Sequence, residues 1–234
     1  MNIFELNNVN VEVEYLDGSA IYTIDNFYKH PEKVYDYIFE KPYQEGRDFL
    51  WKITEKPSYN GIHFEDRRFE NFDEKLIDNY IFLSELINDM PFKPEIYTNV
   101  TSFRDVDESK DFNNFQDNYW WPHRDDGYTG IVYFTEEGGT NLYSDETTDI
   151  KDNSIVNEHY APWRSKSDYE VLKTLEPKYN RFVLFDGLKF LHGMDISTNR
   201  YFNGERRKNQ VYFFYARVMT ALYIVYNSIN KSWL

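Results

Sequence analysis

From about residue 96 the apolar residues stop recurring at helical spacing and begin to alternate with polar ones. A period of two places successive side chains on opposite faces of a pleated strand, so this half of the chain must fold as sheet. The alternation predicts strands at 96–103, 119–125, 128–135, 140–144, 181–186, 188–192, 207–218 and 220–226. Short strands joined by Gly- and Asp-rich turns suit an antiparallel double-sheet roll, in which two sheets bury one face each against the other. The charged segment 145–180 interrupts the run, with a helix expected at 167–175.

The first 95 residues read differently. Val9, Val11 and Val13 alternate with polar neighbours, Leu16-Asp17-Gly18-Ser19 signals a turn, and Ala20 to Ile24 is apolar again, which together predict a hairpin. A helix is expected from about 31 to 41, because Pro31 suits a first turn and Val34, Tyr37 and Ile38 share a face. Residues 42–70 read as Pro/Gly-punctuated loop, and 72–89 as a second helix stopped by Met90-Pro91 and Pro94. The fold class is therefore α+β and mainly β, with the hairpin and both helices packed on one sheet. No repeat or linker divides the chain, so residues 1–234 are expected to form one domain, 1–95 supporting a core at 96–226.

Composition narrows the chemistry. With no cysteine, disulfides, thiolate metal sites and thiol nucleophiles are excluded. The net charge of −14 disfavours nucleic acid or an anionic membrane as partner. The charge is uneven: residues 1–99 carry 10 basic and 20 acidic side chains, whereas 100–234 carry 16 and 20. A site for an anionic small molecule belongs in the second half. The opening MNIFELNNVNVEVEYLDG has neither a basic start nor an apolar run, and no stretch approaches the roughly 18 apolar residues of a membrane span, so a cytoplasmic protein is expected.

Five histidines limit where a metal could bind: 30, 63, 123, 159 and 192. His123 and Asp125 are two apart, so on a strand both side chains reach one side. The same spacing occurs in His63-Phe64-Glu65, so context has to separate the two. His123 lies within Tyr119-Trp120-Trp121-Pro122-His123-Arg124-Asp125-Asp126-Gly127, followed by an apolar strand and Gly138-Gly139-Thr140. His192 follows 69 residues later in Phe190-Leu191-His192-Gly193-Met194, and Arg206-Arg207-Lys208-Asn209 then leads into an aromatic strand. His63 has loop on both sides in this reading. Asp126 competes with Asp125, but strand periodicity turns it to the other face.

The order His-X-Asp, Gly-Gly-Thr, distal His-Gly and Arg-X-Asn before an aromatic strand resembles the Fe(II)- and 2-oxoglutarate-dependent dioxygenases. The likeness is to their small prolyl-hydroxylase-like members of bacterial and phage type. It covers residues 96–218 well and the first 95 loosely, with Asp25-Asn26-Phe27-Tyr28 and Pro31 resembling the lead-in of those forms. The resemblance implies a double-stranded β-helix of the jelly-roll, cupin-like kind. It implies iron on His123, Asp125 and His192, no catalytic residue beyond the metal centre, and O2 and 2-oxoglutarate as cosubstrates, with ascorbate as a reductant. Succinate and CO2 would leave as a C–H bond is hydroxylated, in a peptidyl prolyl or other amino-acid residue or in a small molecule.

Two imidazoles and a carboxylate are also the donor set that suits non-haem Fe(II) while leaving positions open. A cosubstrate carboxylate inside an apolar roll needs a planar, permanently charged partner. Arg207 is the expected one, with Arg206 the fallback, Tyr133 beside it, and Thr140 and Asn209 in lesser roles. Tyr119 and Trp121, with Trp120 between them, are expected to line the approach for substrate. The 15-residue gap from His192 to Arg207 is longer than the resemblance implies. The extra stretch Ser197 to Glu205 is either a loop over the mouth or a sign that Arg200 or Arg217 takes over. Two alternatives remain at this point: a zinc metallohydrolase using the same His/Asp/His set, or a non-enzymatic jelly-roll binding module that does not bind metal.

Overall fold

A computed structural model describes residues 2–40, 51–52, 62–70, 74–87, 95–105, 114–144, 163–198, 200–202 and 205–215. It is mostly β. Strands β1 (Glu12–Leu16) and β2 (Ser19–Ile24) form the expected hairpin. Its turn residues Asp17 (φ 47°) and Gly18 (φ 76°) both have positive φ, the geometry that matches the twist of a two-residue hairpin. Pro31 opens α1 (Pro31–Tyr35), which runs on as a π-helical stretch over Asp36–Glu40. After β3 (Trp51–Lys52) and β4 (Ile62–Glu70), a 3₁₀ turn at Glu74–Leu76 leads into α2 (Ile77–Leu86).

The second half supplies β5 (Glu95–Asp105), α3 (Asn114–Asp117), β6 (Asn118–Trp120), β7 (Gly127–Tyr133), β8 (Thr140–Tyr143) and β9 (Trp163–Ser165). It continues with β10 (Val171–Leu175), β11 (Arg181–Asp186), β12 (Leu191–Met194) and β13 (Arg207–Tyr215). The large sheet runs β1-β2-β11-β7-β13-β5-β4-β3, the small one β10-β8-β12, and β6 pairs with β9. Every one of these pairings is antiparallel.

Alternation along the central strands sorts the core into two layers. Val132 and Phe134, Phe182 and Leu184, and Tyr212 and Phe214 pack with Val34, Ile38 and Phe39 from the first helical stretch and Tyr80 and Leu83 of α2. Their odd-numbered neighbours Ile131, Tyr133, Val183 and Phe185 pack instead with Leu142 of β8 and Leu175 of β10, so the small sheet covers that face. A slip of one residue would exchange the layers, which is why the register is tightly specified. The first helical stretch and α2 thus close one side of the large sheet, whereas the hairpin does not pack on it as expected: β2 pairs with β11, so β1 and β2 extend the sheet itself. The other side, between the sheets, is free to hold a site.

At the junction of β2 and β11, Asp25 receives Arg181 Nε at 2.6 Å and Lys178 Nζ at 2.7 Å. The Arg181 hydrogen bond, against an opposing burial effect and with help from Lys178, lowers the Asp25 carboxyl to about 2. A folded-state value below the unfolded one stabilises the fold above the unfolded pKa, and that stability is lost as pH falls through the folded pKa. Asp25 is about a third exposed, so screening limits the contribution to about 1 kcal/mol. Urea unfolding should therefore show Asp25→Asn less stable than the parent by that amount at pH 7, with the difference vanishing near pH 2.

Several expected elements differ. The 167–175 helix is a 3₁₀ turn at Lys166–Asp168 followed by β10. Val171, Leu172 and Leu175 have helix-like spacing, but pairing with β8 decides the conformation. The 42–70 loop contains β3 and β4, so His63 lies on a strand, opposite Arg104 of β5. Strand 119–125 stops at Trp120, and 188–192 starts late, at Leu191. Strand 220–226 and the end of 207–218 lie outside the described residues. No described helix is long and apolar enough to cross a membrane.

Candidate functional site

After β6, Trp121 takes a left-handed backbone (φ 45°), and Pro122, lacking an N–H, cannot continue a ladder. The chain then meets β12 in one two-way bridge: His123 N donates to His192 O at 2.9 Å and His192 N to His123 O at 2.8 Å. This places the two imidazoles side by side, centroids 4.4 Å apart. Asp125 N then donates to Gly187 O at 3.0 Å, which turns the carboxylate toward the rings. The backbones approach so closely here that a Cβ on Gly193 would stand 2.4 Å from Trp120 O. The His-X-Asp pair therefore converges through an irregular, doubly anchored segment rather than through strand pleat.

His192 Nε2 lies 3.1 Å from Asp125 Oδ2, and His123 Nε2 lies 3.8 Å from Asp125 Oδ1. One ligand atom from each residue falls within 4.8 Å of the others. The far side of each ring faces main chain: His123 Nδ1 is 2.7 Å from Trp121 O and His192 Nδ1 is 3.1 Å from Phe190 O. A carbonyl can only accept, so each Nδ1 donates to main chain, and Nε2 is the nitrogen of each ring that faces Asp125 and would meet a metal. Burial opposes ionisation of Asp125, but His192, His123 and the Thr129 hydroxyl together hold its carboxyl well below the usual range. A charged carboxylate and two imidazoles with Nε2 available fit a divalent transition metal.

Thr129 is a residue the sequence reading did not single out. It sits on β7, and its hydroxyl donates to Asp125 Oδ2, restricting the carboxylate's rotation. Its signal was available: Thr129 shares a strand face with Ile131 and Tyr133. Thr129→Val removes the hydrogen bond at nearly constant volume. Mn(II) affinity, read by electron paramagnetic resonance titration, should fall about 10- to 100-fold with thermal stability little changed.

His123, Asp125 and His192 line an open pocket of about 530 Å³, a volume that includes the solvent at its mouth. On the large sheet its wall is Thr129 and Ile131 of β7 and Arg207, Asn209, Val211 and Phe213 of β13. Opposite stand Thr140 of β8 and Met194 beside His192 on β12. Asp125 is the sole carboxylate among the described lining residues, and Arg207 the sole arginine.

Arg207 is 7% exposed. Its Nε donates to Gly138 O, and its Nη2 to Gly139 O at 3.2 Å and to Thr140 Oγ1 at 3.1 Å. Hydrogen bonding orients the Asn209 amide with its oxygen accepting from Nη1 at 2.7 Å. Those four partners position the guanidinium. The Tyr133 ring lies beneath it, 5.7 Å from Cζ, and the Tyr133 hydroxyl is 2.8 Å from Thr140 Oγ1. Burial pushes the Tyr133 phenol up, with Arg207 opposing, so it remains neutral.

The remaining candidates are placed as follows. Tyr133 is fully buried and meets the pocket through Thr140 rather than lining it. Arg206 and Asp126 are exposed. Tyr119 is outside the lining, its ring packed 4.8 Å from Tyr143. Trp121 contributes its carbonyl to His123, and Trp120 is buried against it. Arg200 pairs with Glu137 at 2.7 Å and Glu205 at 3.2 Å. Arg217 and His159 lie outside the described residues.

No family model and no curated protein matches the chain. Among solved structures, a Pseudomonas putida prolyl-4-hydroxylase is similar over 76% of this chain and 82% of that one, at 10% identity and a TM-score of 0.38. A structure titled a "Putative oxygenase" from Shewanella oneidensis is similar over 83% and 81%, at 7% identity and a TM-score of 0.43. At such values neither likeness assigns an activity.

Proposed function

We propose that this chain is a 2-oxoglutarate- and Fe(II)-dependent dioxygenase on a double-stranded β-helix. It would hydroxylate a C–H bond, in a peptidyl prolyl or other amino-acid residue, as 2-oxoglutarate becomes succinate and CO2. One observation carries the reading: a two-imidazole, one-carboxylate group and a buried arginine line the same pocket. A hydrolytic zinc site would use the first and leave the second without a role, and a plain binding module would need neither.

In this reading His123, Asp125 and His192 hold the iron, which supplies oxygen activation when bound. The chain's own contribution is placement. Main-chain carbonyls fix the imidazole tautomers, and Thr129 fixes the carboxylate. Arg207 and Thr140 receive the far carboxylate of 2-oxoglutarate, and Ile131, Val211 and Met194 keep the space between apolar. No side chain is required to move a proton.

Aerobic incubation with Fe(II) and 2-oxoglutarate should release succinate slowly without added substrate, and His123→Ala should stop it. Tight Zn(II) binding with no succinate release would sink this reading in favour of the hydrolase. Failure to bind Fe(II) or Mn(II), together with no thermal shift from N-oxalylglycine, would favour the binding module.

A further inference from the structure

The 15-residue connection between His192 and Arg207 has a described part, Arg200–Phe202, that folds as a 3₁₀ turn. It does not line the pocket. Tyr201 is instead 3% exposed, lodged behind the turn that joins β7 to β8. A Cβ built on Gly138 would stand 2.8 Å from the Tyr201 hydroxyl, 3.0 Å from Met194 Cε and 3.1 Å from Arg207 Cδ. Gly138 also has a φ of +72° and offers its carbonyl to Arg207 Nε. Tyr201 and the stem of Arg207 therefore close on the same glycine, and the carbonyl that aims the guanidinium belongs to it.

The anchor beside it is electrostatic. Arg200 Nη1 meets Glu137 Oε1 at 2.7 Å, one residue before Gly138, and Arg200 Nε meets Glu205 Oε2 at 3.2 Å. Both partners of the first pair are about 40% exposed, so it orients the turn more than it holds it. The buried tyrosine has to carry the contact.

We infer that Tyr201 is a positioning residue: it braces the Gly138 turn so that Arg207 is held in the orientation that receives a carboxylate. The inference concerns the same site and rests on the reading above for the identity of that carboxylate as 2-oxoglutarate. The brace has its own observable. Arg207 Nε–H, buried and bonded to Gly138 O, should give an exchange-protected signal in nitrogen-15 nuclear magnetic resonance spectra, assigned by its loss in Arg207→Lys.

The test uses the full chain with Tyr201→Phe, Tyr201→Ala and Tyr201→Leu, the last keeping the buried volume apolar if the alanine variant does not fold. Tyr201→Phe should retain both Nε–H protection and 2-oxoglutarate affinity within a few-fold. Tyr201→Ala and Tyr201→Leu should lose the protection and bind 2-oxoglutarate to the Mn(II)-loaded protein on the order of 10- to 100-fold more weakly by calorimetry. Mn(II) affinity should not change in any of them, a split that a general loss of fold does not produce. Full Nε–H protection in the truncated variants overturns the brace. If protection is lost but the parent protein binds no 2-oxoglutarate, the brace stands and the dioxygenase reading falls.

Discussion

Asp125→Asn is expected to weaken Mn(II) binding by on the order of 100-fold or more and to stop succinate release. The size of the effect comes from two changes at once. The amide has no charge to offer a cation. It also brings an N–H₂ donor to within reach of His192 Nε2, which stands 3.1 Å from Asp125 Oδ2. That donor occupies the lone pair a metal requires, and because Thr129 donates to the same Oδ2, its hydroxyl would have to turn and accept from the amide nitrogen. Asp125→Ala leaves His192 Nε2 open and should be the milder lesion for metal binding. An Mn(II) affinity for Asp125→Asn within tenfold of the parent would remove this carboxylate from the ligand set.

Arg207→Met should weaken 2-oxoglutarate binding by about 2–5 kcal/mol while Mn(II) binding stays as it was. The loss has a second component that calorimetry of the anion alone does not see. Gly138 O, Gly139 O and Thr140 Oγ1 all accept from this guanidinium in a buried place. Gly139 O keeps the Asp195 N–H and Thr140 Oγ1 keeps the Tyr133 hydroxyl, so the loss falls on Gly138 O, at about 1–3 kcal/mol of folding free energy for a buried acceptor left without its donor. Arg207→Met should therefore melt lower even without ligand. Arg207→Lys keeps the charge but not the fork that serves several acceptors at once, so it should fall between parent and Arg207→Met in both measurements. Unchanged 2-oxoglutarate affinity in Arg207→Met would place the cosubstrate carboxylate elsewhere.

The central sheet was legible because its strands alternate cleanly. Val132 and Phe134 against Ile131 and Tyr133 announce both the strand and its two buried faces. The alternation of Arg207 with Asn209, Val211 and Phe213 likewise separates it from Arg206, and the structure has those four on one pocket wall. Strand β4 was not legible, since Ile62–Glu70 mixes His, Glu, Asp and Arg with Phe and shows no apolar period. What makes Ile62–Glu70 a strand is pairing with β5, a distant partner that local pattern does not encode. The same holds at the site. His123, Asp125 and His192 stand out by residue type, but Thr129 and Tyr201 act through what they touch. Nothing local announces the left-handed backbone at Trp121 that aims His123.

The bridge between His123 and His192 joins residues 69 apart, and each ring is oriented by main chain on its own side of the pair. Loop-closure entropy has to be met before those two imidazoles become neighbours. In an unfolded chain only His123 and Asp125 are near neighbours, so a metal ion would find two of its three ligands, unlike a finger whose ligands all lie in short local pairs. An ion held by this group would arrive after the sheets have closed and act by mass action, adding about 2.7 kcal/mol at a concentration one hundred times its dissociation constant. A metal held by this group would thus lengthen the life of the folded chain, and leave the question of whether it folds to the sheets themselves.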